Sequence, residues 1–261
     1  MSTTTPPFLP GSLSLNRRLS QWLSIHADGT VSVRSGKVEL GQGIATALLQ
    51  IVSQELGVNV SRIRMVAPST AGSPNEGVTA GSMSVHDSGG ALRQVCIEAR
   101  AIYLRAAAAR LQLPLDQMGR LEVIDGSIRL PADGSGEATS YWALADDALL
   151  DCEAGGQGTS QNADRLQPAP IAQRLDIPDK VKGRPRFIHD MVLPGMLHGR
   201  VLHPPSPGAA LIEVDLSAIE AMPGVVATVR DGNFLGVIAD DEYRAVRALT
   251  KLASIARAGV R

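Results

Sequence analysis

The chain has 261 residues, 44% of them hydrophobic and 20% charged, with 25 Lys and Arg against 26 Asp and Glu and a net charge of −1. That composition provides a sizeable core and excludes a disordered tail or a coiled coil, and the charge balance leaves no basic footprint for nucleic acid or an anionic membrane. Two cysteines, Cys96 and Cys152, exclude a disulfide scaffold, and no Cys/His spacing predicts a metal held by protein ligands.

The first 20 residues are rich in Pro, Ser and Thr, so they read as an extended leader on the surface. Trp22 to His26 and Val31 to Val33 alternate around Asp28-Gly29, which predicts a β-hairpin. Gly41-Gln42-Gly43 then opens a helical pattern in which Ile44, Leu48, Ile51, Val52 and Leu56 recur until Gly57. A short strand is expected around Ile63 and Met65, followed by a loop of small residues at 68–81. A long helix begins near Ser84, where Ser88-Gly89-Gly90 would be unfavourable unless a neighbour packs close. Pro114 marks the end of that helix, and residues 121–130 read as a second hairpin about Asp125-Gly126.

The polar, Gly-rich stretch 151–173 reads as a linker. After it, strands are expected at 197–202, 211–215, 225–229 and 235–238, with a short helix at 217–222 and a last one over Glu242–Ile255. The resulting expectation is an α+β chain with a body over 21–150 and a smaller one over 174–255, because helices and strands mingle without βαβ regularity. No stretch of about 18 apolar residues and no signal-peptide pattern is present, which makes the cytoplasm the expected location.

The chemistry-bearing residues are few. The five histidines flank no nucleophile, and Ser84, His86 and Asp87 read as the polar start of a helix. Gly155-Gly156-Gln157-Gly158 has neither a preceding strand nor a following Lys-Ser/Thr, so it reads as linker. Gly41-Gln42-Gly43 follows a strand-like segment and opens a helix, a place that suits either an anionic group or a simple tight turn. A second loop of small residues, 78–82, also opens a helix.

These two segments carry a resemblance. GKVELGQGIATALLQIVSQELGVNVSRIRMV at 36–66 and SPNEGVTAGSMSVHDSGGALRQVCIEAR at 73–100 resemble the molybdopterin-binding part of the molybdenum hydroxylases, the xanthine dehydrogenase and aldehyde oxidase family. Residues 180–207 and 210–248 are similar to that family's small a/b hammerhead domain. A molybdopterin-type segment ahead of the hammerhead resembles the large subunits of the isoquinoline 1-oxidoreductase and nicotinate dehydrogenase type.

The resemblance implies an oxidoreductase that hydroxylates an N-heteroaromatic or an aldehyde with oxygen from water. It implies a molybdenum cofactor in its molybdopterin cytosine dinucleotide form, held through the pterin and not by protein thiolates. An iron-sulfur small subunit and often a cytochrome c subunit are the implied partners. Gly41, Gln42 and Gly43 match the family's Gly-Gln-Gly, and Thr79, Gly81 and Ser82 match the loop that approaches the pterin and its phosphates; capping of the following helix is the alternative for Thr79 and Ser82.

No acid in the sequence matches the family's general-base glutamate. Glu39, Glu55, Glu76 and Glu242 are expected to be surface charges. The expectation is therefore an N-terminal portion of a large subunit that does not turn over alone and does not retain the cofactor by itself. The alternatives are an assembly subunit of a split enzyme, completed by the remaining part as a separate chain, and a non-catalytic anion-binding module.

Overall fold

A computed structural model describes residues 8–130, 139–160 and 173–260, and the chain divides into two compact units, Met1–Arg186 and Phe187–Arg261. Both mix helices with small sheets, so the α+β class holds.

In the first unit, alternation produces β1 (Leu23–Ile25) and β2 (Val31–Val33), antiparallel about the Asp28-Gly29 turn with Leu23 opposite Val33. Their inward residues Leu23, Ile25, Val31 and Val33 are buried. α1 (Ile44–Leu56) follows, with Gly43 and Gly57 in the left-handed region at its two ends. β3 (Ile63–Met65) returns parallel to β2, so α1 is the crossover between them.

A single turn of wider π geometry, Val85–Gly89, leads into α2 (Gly90–Arg110). The glycines at this junction have the close neighbour the sequence demanded: a Cβ on Gly89 would lie 3.0 Å from Ile51 Cδ1. α2 buries Leu92, Val95, Cys96, Ala99 and Tyr103 and closes at Arg110, ahead of Pro114. β4 (Glu122–Ile124), β5 (Ser127–Arg129) and β6 (Thr139–Ser140) form a second small antiparallel sheet, and α3 (Ile177–Val181) is the last helix of the unit. Both cysteines are free thiols, and burial pushes the Cys96 pKa well above its usual range.

Two segments behave differently from their composition. Residues 8–20, expected to trail over the surface, form two tight turns, Gly11–Ser14 and Leu19–Gln21, and bury Leu13 and Leu19 completely. Their apolar residues have no period of their own, and it is the packed faces of the unit that take them in. The Asn16 side chain locks this segment by donating to Ser12 O and Asn75 O and accepting from Asn75 N.

The described part of the expected linker is also docked. Leu19 N donates to Cys152 O and Ala154 N to Arg17 O, while the Glu98 carboxylate accepts from the amides of Gly155 and Gly156. Residues 161–172 of that stretch lie outside the described residues. Residues 174–186 belong to the first unit, where composition placed them with the second.

In the second unit, β7 (His198–Val201) flanks the central strand of a three-stranded sheet, and β8 (Ala209–Glu213) and α4 (Ser217–Glu220) follow. β9 (Val225–Asp231) and β10 (Phe234–Ala239) complete that sheet in the order β7-β10-β9, and α5 (Glu242–Ile255) packs on it. Ile219, Leu235, Val237, Ala248 and Leu252 form its core. The residues after α5 are a strand, β11 (Arg257–Val260), which pairs antiparallel with β8. Four residues are too few to show a period, so the partner strand decides this pairing.

The Asp241 carboxylate caps α5 by accepting from Arg244 N at 3.1 Å. Asp241→Ala is expected to cost about 1 kcal/mol, lowering the Tm of the second unit by roughly 5 °C in calorimetry of the whole chain. An unchanged transition would show that the cap contributes nothing.

Candidate functional site

The turn into α1 needs glycine at Gly41 and Gly43, whose φ values are 102° and 86°. Inside that turn sits Glu39. Its Oε1 accepts from Gly41 N at 2.8 Å and Gly43 N at 2.9 Å, and its Oε2 accepts from Ala45 N at 3.1 Å. Three of the amides around this helix start, those of Gly41, Gly43 and Ala45, are thus taken by a carboxylate of the same chain.

Gln42 braces the loop from its exposed side. Its Oε1 accepts from Leu40 N, and its Nε2 donates one hydrogen to Val38 O at 2.9 Å, which leaves the second N–H of the amide to offer.

The second loop is fastened to the first. Val38 N donates to Thr79 Oγ1 at 2.9 Å, so the Gly41-Gln42-Gly43 loop and the loop carrying Thr79, Gly81 and Ser82 share one surface. Gly81 and Ser82 are exposed, both at positive φ, and their amides have no partner among the described residues. Ser82 at φ 58° is a strained conformation for a residue with a side chain.

Beneath the surface lies a buried polar knot. Lys37, with its side chain 3% exposed, donates through Nζ to Glu76 O at 2.9 Å and Val78 O at 3.2 Å, and pairs with Asp87 at 3.4 Å. Glu76 Oε2 accepts from Ser35 Oγ, Gly36 N and Ser88 Oγ at 2.9, 2.7 and 3.1 Å. Its Oε1 is buried without a partner among the described residues. The hydrogen bond from His86 and the pairing with Lys37 hold the Asp87 carboxyl below its usual range. His86 is exposed, as expected of a polar residue in a first turn, whereas Ser84 makes no side-chain cap.

A third piece comes from residues just before α3. Arg174 Nη2 donates to Gly41 O at 2.7 Å, and Leu175 N donates to Thr46 Oγ1 at 3.1 Å. Arg174 and Lys180 both pair with Asp176, whose side chain is 4% exposed; Arg174 foremost, then Lys180, holds its carboxyl far below the usual range. Two clefts border the loops: one of about 410 Å³ lined by Gly36, Val38, Pro68, Asn75 and Glu76, and one of about 390 Å³ lined by Glu39, Thr46, Arg64, Leu175 and Arg186.

Three of the four acids expected at the surface are committed instead. Glu39 holds the α1 turn, Glu76 ties a loop down, and Glu55, 3% exposed, meets Arg93 and Ser160. Glu242 alone keeps a surface character, paired with Arg200. Sequence reasoning missed Lys37, Arg174 and Asp176 as well. The available signal was Glu39, two residues ahead of a Gly-x-Gly helix start; nothing local marks Arg174 as a neighbour of Gly41.

The donor set fits a pterin cofactor carrying phosphates. Thr79 accepts from Val38 and keeps its hydroxyl hydrogen, the amides of Gly81 and Ser82 are open, and Gln42 has an N–H to spare.

Residues 3–167 match the family described as molybdopterin cofactor-binding domain. The chain is 34% identical to a nicotinate dehydrogenase polypeptide of Pseudomonas putida over 95% of its own length and 22% of that protein's. It is 29% identical to the beta chain of isoquinoline 1-oxidoreductase of Brevundimonas diminuta over 87% of its length and 33% of that protein's. The chain therefore spans a third or less of these two relatives. Among solved structures, CO dehydrogenase from Oligotropha carboxidovorans aligns with a TM-score of 0.41 and 27% identity, over 47% of this chain and 15% of that one.

Proposed function

The chain belongs to the molybdopterin cofactor-binding domain family, and on that footing we propose that its first unit forms part of the cofactor cradle of a molybdenum hydroxylase, an oxidoreductase. The family match over residues 3–167 carries the reading, and the junction of the two loops through Val38 and Thr79 supports it. Gln42, through its spare amide N–H, and Thr79, Gly81 and Ser82, through hydroxyl and backbone donors, are the groups that would hold the pterin and its phosphates. Gly41 and Gly43 let the backbone come close. When bound, the cofactor supplies two-electron redox chemistry at carbon with oxygen drawn from water.

The cytosine dinucleotide is the proposed nucleotide form, and an N-heteroaromatic or an aldehyde the proposed substrate class. An iron-sulfur small subunit and a cytochrome c subunit are the proposed electron-transfer partners, and Phe187–Arg261 is read as the hammerhead. No helix among the described residues is long and apolar enough to cross a membrane. Both oxygens of Glu39 are committed to backbone donors, so Glu39 is not free to act as general base. These 261 residues by themselves are proposed to contact cofactor without turnover.

The test is binding of purified molybdopterin cytosine dinucleotide to the chain, followed by pterin fluorescence under anaerobic conditions. Weak saturable binding is expected at high cofactor concentration, lost on gel filtration because the chain by itself does not retain the cofactor. A Thr79→Val variant should weaken it by roughly tenfold, the effect of losing about 1.4 kcal/mol of hydrogen bonding. Absence of binding by the wild-type chain overturns the reading.

A further inference from the structure

The turn into α1 already holds an anion: three backbone N–H groups, those of Gly41, Gly43 and Ala45, converge on the two oxygens of Glu39. Together with the positive end of the helix dipole, such a cluster is a natural phosphate site when it is open. From outside, Arg174 grips the same turn through Gly41 O, and Arg174 is itself held by the nearly buried Asp176. A Cβ on Gly43 would lie 3.3 Å from the Arg174 guanidinium carbon, so the grip is close.

We propose that Glu39 is a positioning residue: its carboxylate acts as an internal anion that closes the α1 start to phosphate groups and, with Arg174, sets the Glu39–Gly43 loop before any ligand arrives. A carboxylate two residues upstream in the same turn faces these amides at an effective concentration no free anion matches. With the amides of Gly41, Gly43 and Ala45 taken, phosphates of a bound dinucleotide would need other donors, and the open amides of Gly81 and Ser82 would be available to them. This consequence rests on the proposed cofactor-binding role, whereas the closure of the helix start does not.

The test is titration of the ¹⁵N-labelled chain with inorganic pyrophosphate, read at the amides of Gly41, Gly43 and Ala45. In the wild type these resonances should stay still at millimolar pyrophosphate. In E39A they should move, with binding roughly tenfold or more tighter than in the wild type, since an anion now gains charge-assisted bonds to open amides. E39Q keeps the side chain's size and carries the test if E39A does not fold; its neutral amide should be displaced by pyrophosphate.

Movement of the three wild-type resonances, or no gain of binding in either variant, overturns the proposal. Cofactor affinity provides the second arm: E39A should lose roughly tenfold, with E39Q partly restoring it. If the wild type binds no cofactor while the pyrophosphate results hold, the cofactor reading fails and the role of Glu39 in closing the helix start stands.

Discussion

Replacement of Lys37 by alanine is expected to destabilise the chain by about 3 kcal/mol, because it breaks a buried ion pair from one side and strips two carbonyls of their donor. The ammonium, 3% exposed, joins three separate pieces: the segment 35–38 beyond β2, the loop at 76–78 and the helix start at Asp87. Without it, Glu76 O and Val78 O lose their Nζ donor while Asp87 keeps only its His86 contact among these bonds. Urea denaturation should show the loss, and hydrogen exchange should show residues 73–82 opening well below the global unfolding free energy. Lys37→Met, which keeps the packing of the stem, should recover little. A cost under about 1 kcal/mol in both variants would mean that the loop is held by its other bonds, through Glu76, Asn75 and Thr79, without Lys37.

The same knot has an acid limb. The Asp87 carboxyl is lowered in the folded chain, by His86 first and then by Lys37. A lowered folded value means that the contribution is fully present above the unfolded carboxylate pKa and is lost as pH falls through the folded one. The Lys37 variants should therefore lose part of the wild-type acid sensitivity below about pH 4.

Trp22→Ala is expected to cost about 4 kcal/mol, the range found when a fully buried aromatic is deleted from a core. Trp22 is completely buried, and its indole Nε1 donates to Asn16 O at 2.8 Å. The substitution removes the largest fully buried side chain of the core that also contains Leu13 and Leu19, and leaves a buried carbonyl without that donor. Trp22→Phe keeps most of the apolar volume and should cost about half as much. Thermal unfolding of both variants, with proteolysis of residues 8–20 as the local readout, separates the two effects. If the segment were a loose leader, trimming it would leave the Tm unchanged; here protection of 8–20 should fall together with global stability.

Much of the fold is written locally. The β1–β2 hairpin follows from strict alternation about Asp28-Gly29, α1 from apolar spacing between two glycines that only a left-handed turn requires, and α5 from its amphipathic face and the Asp241 cap. Each of these signals involves residues a few positions apart, so chain composition and period suffice. The candidate loops were legible for a related reason. A Gly-x-Gly turn ahead of a helix and a run of small residues ahead of another are local demands on backbone conformation, and those motifs carried the family with them.

What the sequence alone determined, then, is the α+β class, the elements with a clear period, the family resemblance and the small-residue loops. Only the tertiary structure decided what those loops are made of energetically. Gly41 and Gly43 meet the carboxylate of Glu39, and Gly41 O meets Arg174 from a segment that composition assigned elsewhere. Lys37, Glu76 and Asp87 become one buried knot, and a Pro- and Ser-rich start becomes core through Leu13 and Leu19. The physical reason is common to all of these. A charge or an apolar side chain carries no period of its own in such stretches, and whether it is solvated or buried depends on partners that lie far away in the chain and are brought close only by packing.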